Sequence, residues 1–284
     1  MQTESRDASL LASYAEVQLI LCKDTIIKNL FQGNAPFRFY ILLSLHKISC
    51  TSAKYSSKLD ILLSVCITFA PMIVKLTDEI AFPDPRQGEP DGWFAVGGDL
   101  SVDRLLLAYS YGIFPWYAFR WYDEIHWYCP MQRFVIFPDE IHISRSMRKL
   151  MRKGRYSVSI NRDFHNVIRL CGELRRDEEG AWLGDDMMRA YEELHRQGFA
   201  ASVEVWEADR LVGGIYGVNI GSCFFGESMF SLVPNGSKVA LIALAQYMAE
   251  NGGRLIDCQF ETPHLRSMGG RFISYDEYMD ILQE

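Results

Sequence analysis

Two short stretches, Phe225-Gly226-Glu227-Ser228-Met229-Phe230-Ser231 and Leu255-Ile256-Asp257-Cys258-Gln259, decide how this chain is read. Each reads as a buried strand and its end, and each sets one carboxylate beside a polar partner, Ser228 or Gln259. Between them Ser237 to Glu250 reads as a long helix. Taking a carboxylate out of water costs roughly several kcal/mol unless it is hydrogen-bonded or its pKa shifts. Two of them, 30 residues apart, therefore suggest a built site. The same residues allow a plainer reading, in which a carboxylate caps a turn or pairs with a neighbouring arginine.

Outward from these stretches the chain alternates strand and helix. Tyr156 to Ile160, Ala201 to Trp206, Leu211 to Ile220 and Cys223 to Phe225 read as strands. Asp163 to Cys171, Asp185 to Gln197 and a last segment from Tyr275 read as helices. Hairpin signals at Glu207-Ala208-Asp209 and Asn219-Ile220-Gly221-Ser222 make the middle strands antiparallel. Antiparallel strands followed by a long helix and one more strand give an α+β class with a mixed, mostly antiparallel sheet. That order is similar to acyltransferases of the GNAT type, in which a splayed sheet opens a cleft where acyl donor and amine meet.

Upstream, residues 81–99 read as loop, because Pro83, Pro85 and Pro90 oppose a helix and Gly97-Gly98 permit a tight turn. Asp99 or Ser101 can cap a helix through Tyr109 that Gly112 stops, and Ile113-Phe114-Pro115-Trp116-Tyr117 follows as a rigid aromatic loop. His126-Trp127-Tyr128-Cys129-Pro130 and Arg133 close a small aromatic-rich domain, 72–133, ahead of the catalytic domain, 134–284. Trp93, Trp116, Trp121 and Trp127 serve either as its core or as a platform on which a base stacks.

Between Ser144 and Arg155, Arg145, Arg148, Lys149, Arg152, Lys153 and Arg155 crowd onto one helix whose Met147, Leu150 and Met151 form an apolar stripe. Basic runs are commonly just solvated faces. In a chain of net charge −7, this one reads as a phosphate-binding footprint. The seven cysteines and six histidines are scattered without metal or disulfide spacing, so reduced thiols, a cytoplasmic setting and no metal are expected. Residues 1–71 hold none of the six tryptophans and one glycine, and their apolar runs are too short to span a bilayer. They are expected to be an extension outside the native fold, with translation starting at Met72.

Seven motifs in order carry a specific resemblance. They are Gly97-Gly98-Asp99-Leu100, Gly112-Ile113-Phe114-Pro115-Trp116, Ser202-Val203-Glu204-Val205-Trp206, Leu211-Val212-Gly213-Gly214-Ile215-Tyr216-Gly217-Val218, Gly226 to Ser231, Ser237-Lys238 and Leu255 to Gln259. From about Ile80 to the C-terminus the chain resembles the leucyl/phenylalanyl-tRNA–protein transferase family. The resemblance implies a GNAT-like domain that uses neither coenzyme A nor any other cofactor and moves Leu, Phe or Met from aminoacyl-tRNA to a protein beginning with Arg or Lys. That addition marks the protein for N-end rule degradation.

The resemblance further implies that Asp257 and Gln259 organise the attacking amine and that Glu227 holds donor or acceptor. Whether Asp257 takes the proton or stabilises positive charge on nitrogen stays open. By the same resemblance Ile215, Phe224, Met229 and Ile256 line the aminoacyl pocket, Trp116 and Trp182 frame the terminal adenosine, and the Arg145 to Arg155 helix grips acceptor-stem phosphates. A monomer is expected.

The chain departs from the family pattern at Tyr128-Cys129, Leu183-Gly184, Ala201 and Gly236. Two rivals remain: a coenzyme A-dependent N-acetyltransferase and a non-catalytic tRNA-binding module. The first needs a glycine-rich loop before the long helix, where Leu232 to Lys238 has one glycine and a proline. The second leaves Asp257 and Glu227 without a task. A thiol enzyme using Cys258 and His264 is weaker than either, since a lone cysteine at a strand end is commonly packed.

Overall fold

The computed structural model describes residues 73–116, 124–175 and 182–284. The extension 1–71, the expected start at Met72, Tyr117 and Trp121 lie outside them. Two sheets organise the rest. The smaller has the order β1 (Val74–Leu76), β2 (Trp93–Gly97), β4 (His126–Tyr128) and β3 (Phe114–Pro115), with β1 and β2 parallel. The stretch read as loop over 81–99 therefore contains a strand, as does the aromatic loop after Gly112. These strands are too short for alternation to mark them.

Helix α1 (Val102–Ser110) starts where Ser101 Oγ accepts from the Arg104 N–H and ends ahead of Gly112, whose φ is +69°. A side chain at Gly112 would collide with the Tyr278 ring, its β-carbon falling 2.5 Å from Cε1, so both conformation and space require glycine there.

The larger sheet has seven strands in the order β11 (Arg271–Ser274), β5 (Gln132–Ile136), β10 (Leu255–Asp257), β9 (Cys223–Ser231), β8 (Arg210–Ile220), β7 (Ala200–Glu207) and β6 (Ser157–Ile160). Every pair is antiparallel except β9 with β10. Those two are parallel because helix α2 (Gly236–Glu250) carries the chain back to the end at which β9 began. Residue 133, the division read from sequence, sits inside β5.

Period-two alternation sorts the strand residues between two cores. Val203, Val205, Ile215, Phe224 and Ile256 face α2. Tyr216, Val218 and Phe225 face the other way, toward α3 (Phe164–Glu173) and α4 (Asp185–Arg196). That second core continues into Phe94, Leu105, Tyr109 and Trp127 of the upstream region, so the two regions share one interior. Helix α2 is apolar on most sides, as a helix covering a sheet must be, and it starts so close to β8 that a β-carbon at Gly213 would lie 2.6 Å from the Gly236 backbone. The C-terminal helix α5 (Tyr275–Gln283) buries Tyr275, Tyr278 and Met279.

Candidate active site

The site begins where β9 and β10 part. The two run side by side from Cys223 and Leu255 to Phe225 and Asp257. There β10 ends, while β9 continues to Ser231 against β8 alone. At the same point β9 bulges. Tyr216 faces Ser228 and Gly217 faces Gly226, which leaves Glu227 as the extra residue. A bulge re-aims a side chain out of the ladder, and this one turns a carboxylate into the opening.

Gln259 follows two residues past β10 with a φ of +56°, a left-handed conformation that costs a non-glycine residue about 1–2 kcal/mol. Asp257 holds it there, because Asp257 Oδ1 accepts from the Gln259 N–H at 2.9 Å. Asp257 is fully buried, and its Oδ2 accepts from Arg133 Nε at 3.0 Å and from the Tyr278 hydroxyl at 2.8 Å. The Arg133 guanidinium lies 4.9 Å from the ring centroids of both Phe114 and Tyr278 and donates through Nη2 to the Gly112 carbonyl. Burial alone would lower the Arg133 pKa, but the carboxylate beside it raises it well above the ordinary arginine value. The plainer reading of this carboxylate, a turn cap paired with an arginine, describes its contacts.

Glu227 is placed differently. It lines the cleft, and each of its oxygens accepts from a tyrosine: Oε1 from Tyr109 at 2.7 Å and Oε2 from Tyr191 at 2.8 Å. Burial raises its pKa to about 7, against the pull of the two hydroxyls. The tyrosine oxygens also lie 2.7 Å from each other. Each hydroxyl has one hydrogen, so when both are given to an ionised Glu227 the tyrosine–tyrosine contact has none. A proton on Glu227 releases one of them to fill it. The Gln259 side chain is best satisfied with its nitrogen 3.0 Å from the carbonyl oxygens of both Gly226 and Cys258, which ties the two parting strands together. Its oxygen then faces Glu227 Oε1 at about 3.5 Å.

Above this floor lies a cleft of about 380 Å³. Gly226, Glu227, Ser228 and Met229 line it from β9, Cys258, Gln259 and Phe260 from beyond β10. Phe114, Pro115 and Trp116 form another wall, with Trp182 and Arg175 completing it. Trp116 is 40% exposed although it rests on Phe260 at 4.9 Å and Tyr128 at 5.3 Å between ring centroids. A large ring left that open beside a cavity is a surface on which a flat ligand can stack.

Of the residues singled out in the sequence, Glu227, Gln259, Met229, Trp116 and Trp182 meet at the cleft, and Asp257 lies just behind it. Ile215, Phe224 and Ile256 are no more than 1% exposed and belong to the α2-side core, against which Met229 also packs. Ile215 Cδ1 and the Phe224 ring come within 3.8 and 4.0 Å of where a β-carbon on Gly226 would sit, so they lie beneath the floor. The basic helix, α6 here (Arg145–Arg152), is capped by Ser144, buries Met147 and shows water Arg145, Arg148, Lys149 and Arg152. Lys153 extends the same groove, whereas Arg155 is held 2.5 Å from Glu207. Tyr109, Tyr191, Tyr278, Phe260 and Arg175 escape a sequence reading, as does the pairing of Arg133 with Asp257. Buried tyrosines look like core, and Arg175 opens a charged run, Arg175 to Glu179, that looks like solvated loop. Among the described residues no group of three or more His, Cys, Asp or Glu is placed to hold a metal ion.

Comparison with known proteins gives one answer. A family profile described as leucyl/phenylalanyl-tRNA protein transferase matches residues 135–283, and that of the N-terminal domain of the same transferase matches residues 98–131. The chain is 49% identical over 207 residues to the leucyl/phenylalanyl-tRNA–protein transferase of Pseudomonas fluorescens, covering 72% of this chain and 91% of that one. It is 48% identical over 213 residues to the enzyme of that name from Syntrophobacter fumaroxidans, covering 75% and 90%. Against the one from Flavobacterium johnsoniae it is 46% identical over 209 residues, covering 73% and 98%.

Proposed function

The chain belongs to the leucyl/phenylalanyl-tRNA–protein transferase family, and from that membership we propose how its cleft works. The protein is an aminoacyltransferase, taking an aminoacyl group from tRNA and attaching it to the N-terminal residue of an acceptor protein. The donor carries Leu, Phe or Met, and the acceptor begins with Arg or Lys. The addition marks the acceptor for N-end rule degradation. The enzyme acts as a monomer in the cytoplasm, where charged tRNA is found.

The observation that carries the mechanism is the placement of Glu227, bulged out of β9 into the cleft and held by the Tyr109 and Tyr191 hydroxyls, at the point where two parallel strands separate. The same separation supports a GNAT-like reading of the seven-stranded region. Trp116 and Trp182 hold the terminal adenosine, and the aminoacyl side chain enters beside Met229 toward Ile215, Phe224 and Ile256. Met229, with three rotatable bonds, re-packs around Leu, Phe or Met. The ester is already activated, so positioning the amine against its carbonyl supplies much of the acceleration.

The neutral α-amine attacks, the nitrogen–carbon bond forms, and the bond to the ribose oxygen breaks. Glu227 takes the proton that the nitrogen sheds and passes it to the ribose oxygen as that oxygen leaves, which returns Glu227 to its starting state. Asp257 acts from behind the cleft. Its three contacts are occupied, so it fixes the left-handed Gln259 and sets the negative potential toward which positive charge develops on nitrogen.

The test is transfer of labelled leucine from charged tRNA to peptides beginning with Arg, Lys or Ala, without ATP or acetyl-CoA. Transfer to the Arg and Lys peptides alone is expected. Equal labelling of the Ala peptide would refute the acceptor rule, and labelling that requires acetyl-CoA would refute the donor.

A further inference from the structure

Arg175 follows α3 by two residues, is partly buried and lines the cleft. It is the one cation on the cleft wall among the described residues, and it makes no ion pair among them. Burial pushes the Cys171 thiol and the Tyr216 hydroxyl up in pKa, and the Arg175 charge opposes that rise. Five further cations, Arg145, Arg148, Lys149, Arg152 and Lys153, gather in a separate groove that shares no residue with the cleft.

A guanidinium left unpaired at the rim of an apolar cleft calls for an anion. Resting on the transfer reading above, the substrates can be searched for one. The aminoacyl ester carries no negative charge, and an acceptor beginning with Arg or Lys brings positive charge, which Arg175 repels. The only anion that the reaction must bring to this cleft is the phosphodiester joining the terminal adenosine to the rest of the tRNA. Trp182 and Trp116 on the same wall would hold that nucleoside. We propose that Arg175 binds the phosphate on the 5′ side of the donor's terminal adenosine, and so seats the ester while turning the cationic acceptor to the opposite side of the cleft. The contact is independent of base sequence, as an enzyme serving several tRNAs requires.

The experiment uses two small donors, leucyl-adenosine with a free 5′-hydroxyl and the same molecule bearing a 5′-phosphate, beside charged leucyl-tRNA, with an Arg-initiated peptide as acceptor. The full-length enzyme is expected to prefer the phosphorylated donor by roughly tenfold in kcat/KM, through KM. In Arg175→Gln that preference should vanish and the KM for charged tRNA should rise by a similar factor. The log–log salt slope of tRNA binding should also fall by about 0.7. Arg175→Lys, which keeps the charge, should restore part of the preference. A preference that survives in Arg175→Gln overturns the proposal, and so does an equal loss on both small donors in both variants. Absence of transfer by the unaltered enzyme from all three donors would instead overturn the transfer reading on which this rests.

Discussion

A buried carboxylate facing a buried arginine is costly to assemble and more costly to halve. Removing one partner of such a pair destabilises by about 3–5 kcal/mol, whereas replacing both with apolar groups is often neutral. Asp257→Leu is therefore expected to lower unfolding free energy by about that amount, and Arg133→Met likewise, while the double variant Arg133→Met with Asp257→Leu recovers most of it. Denaturant titration reads the cycle, and additive losses would mean the pair is not a unit. In the folded fraction Asp257→Ala should also cut transfer by roughly a hundredfold, through the released Gln259, with tRNA affinity nearly intact. Glu227 gives the pH signature. Its pKa is raised from 4.5 to about 7, so the folded state holds a proton that the unfolded state has lost. That contribution is complete below 4.5 and is lost as pH climbs through about 7. Glu227→Gln should therefore gain Tm relative to the parent across that window and show no gain near pH 4. It should also lose the activity limb near 7 while keeping the one near 8 that belongs to the attacking amine. Both carboxylates were legible in the sequence because charge inside a strand is anomalous. Their partners were not: Arg133 is 124 residues from Asp257 and Tyr109 is 118 from Glu227, so only the fold brings them together.

Helices with long amphipathic patterns and hairpin strands could be read from local order alone. Ser101, Ser144 and Asp163 cap α1, α6 and α3 as residues of their type do, and β7 through β10 lie where alternation and turn residues put them. Strands β5 and β11 escaped for physical reasons. The first carries Arg133 facing inward against Asp257, and the second is four residues of an edge with three exposed. The bulge at Glu227 is equally silent, since an extra residue leaves no mark on composition. For α6 the expectation concerns charge. Reversing Arg148, Lys149 and Arg152 to Glu should weaken tRNA binding more than tenfold and reduce the salt slope by roughly two to three. Filter binding across an ionic-strength series checks it, and an unchanged slope would remove α6 from the tRNA interface. Arg155, already paired with Glu207, should contribute little when changed to Ala.

At the scale of the whole molecule, the site draws on both sheets. The upstream region supplies Tyr109, the Gly112 carbonyl, Phe114 and Trp116, and the seven-stranded region supplies the rest. We expect a chain beginning at Met72 to fold and transfer leucine at the full rate, and a chain beginning at residue 134 to give neither cooperative unfolding nor transfer. The second would expose the core faces that Phe94, Leu105, Tyr109 and Trp127 cover. Cooperative melting of that shorter chain would show the two regions to be independent.

The hydroxyl of Tyr278 on Asp257 also has a bearing on synthesis. A ribosome delivers residue 109 long before residue 278, and it works amid the charged tRNAs that this enzyme consumes. With Arg133 and Gln259 already emerged, the carboxylate between them still wants a donor that sits on the C-terminal helix. The three donors around Asp257 are therefore brought together only once α5 has docked.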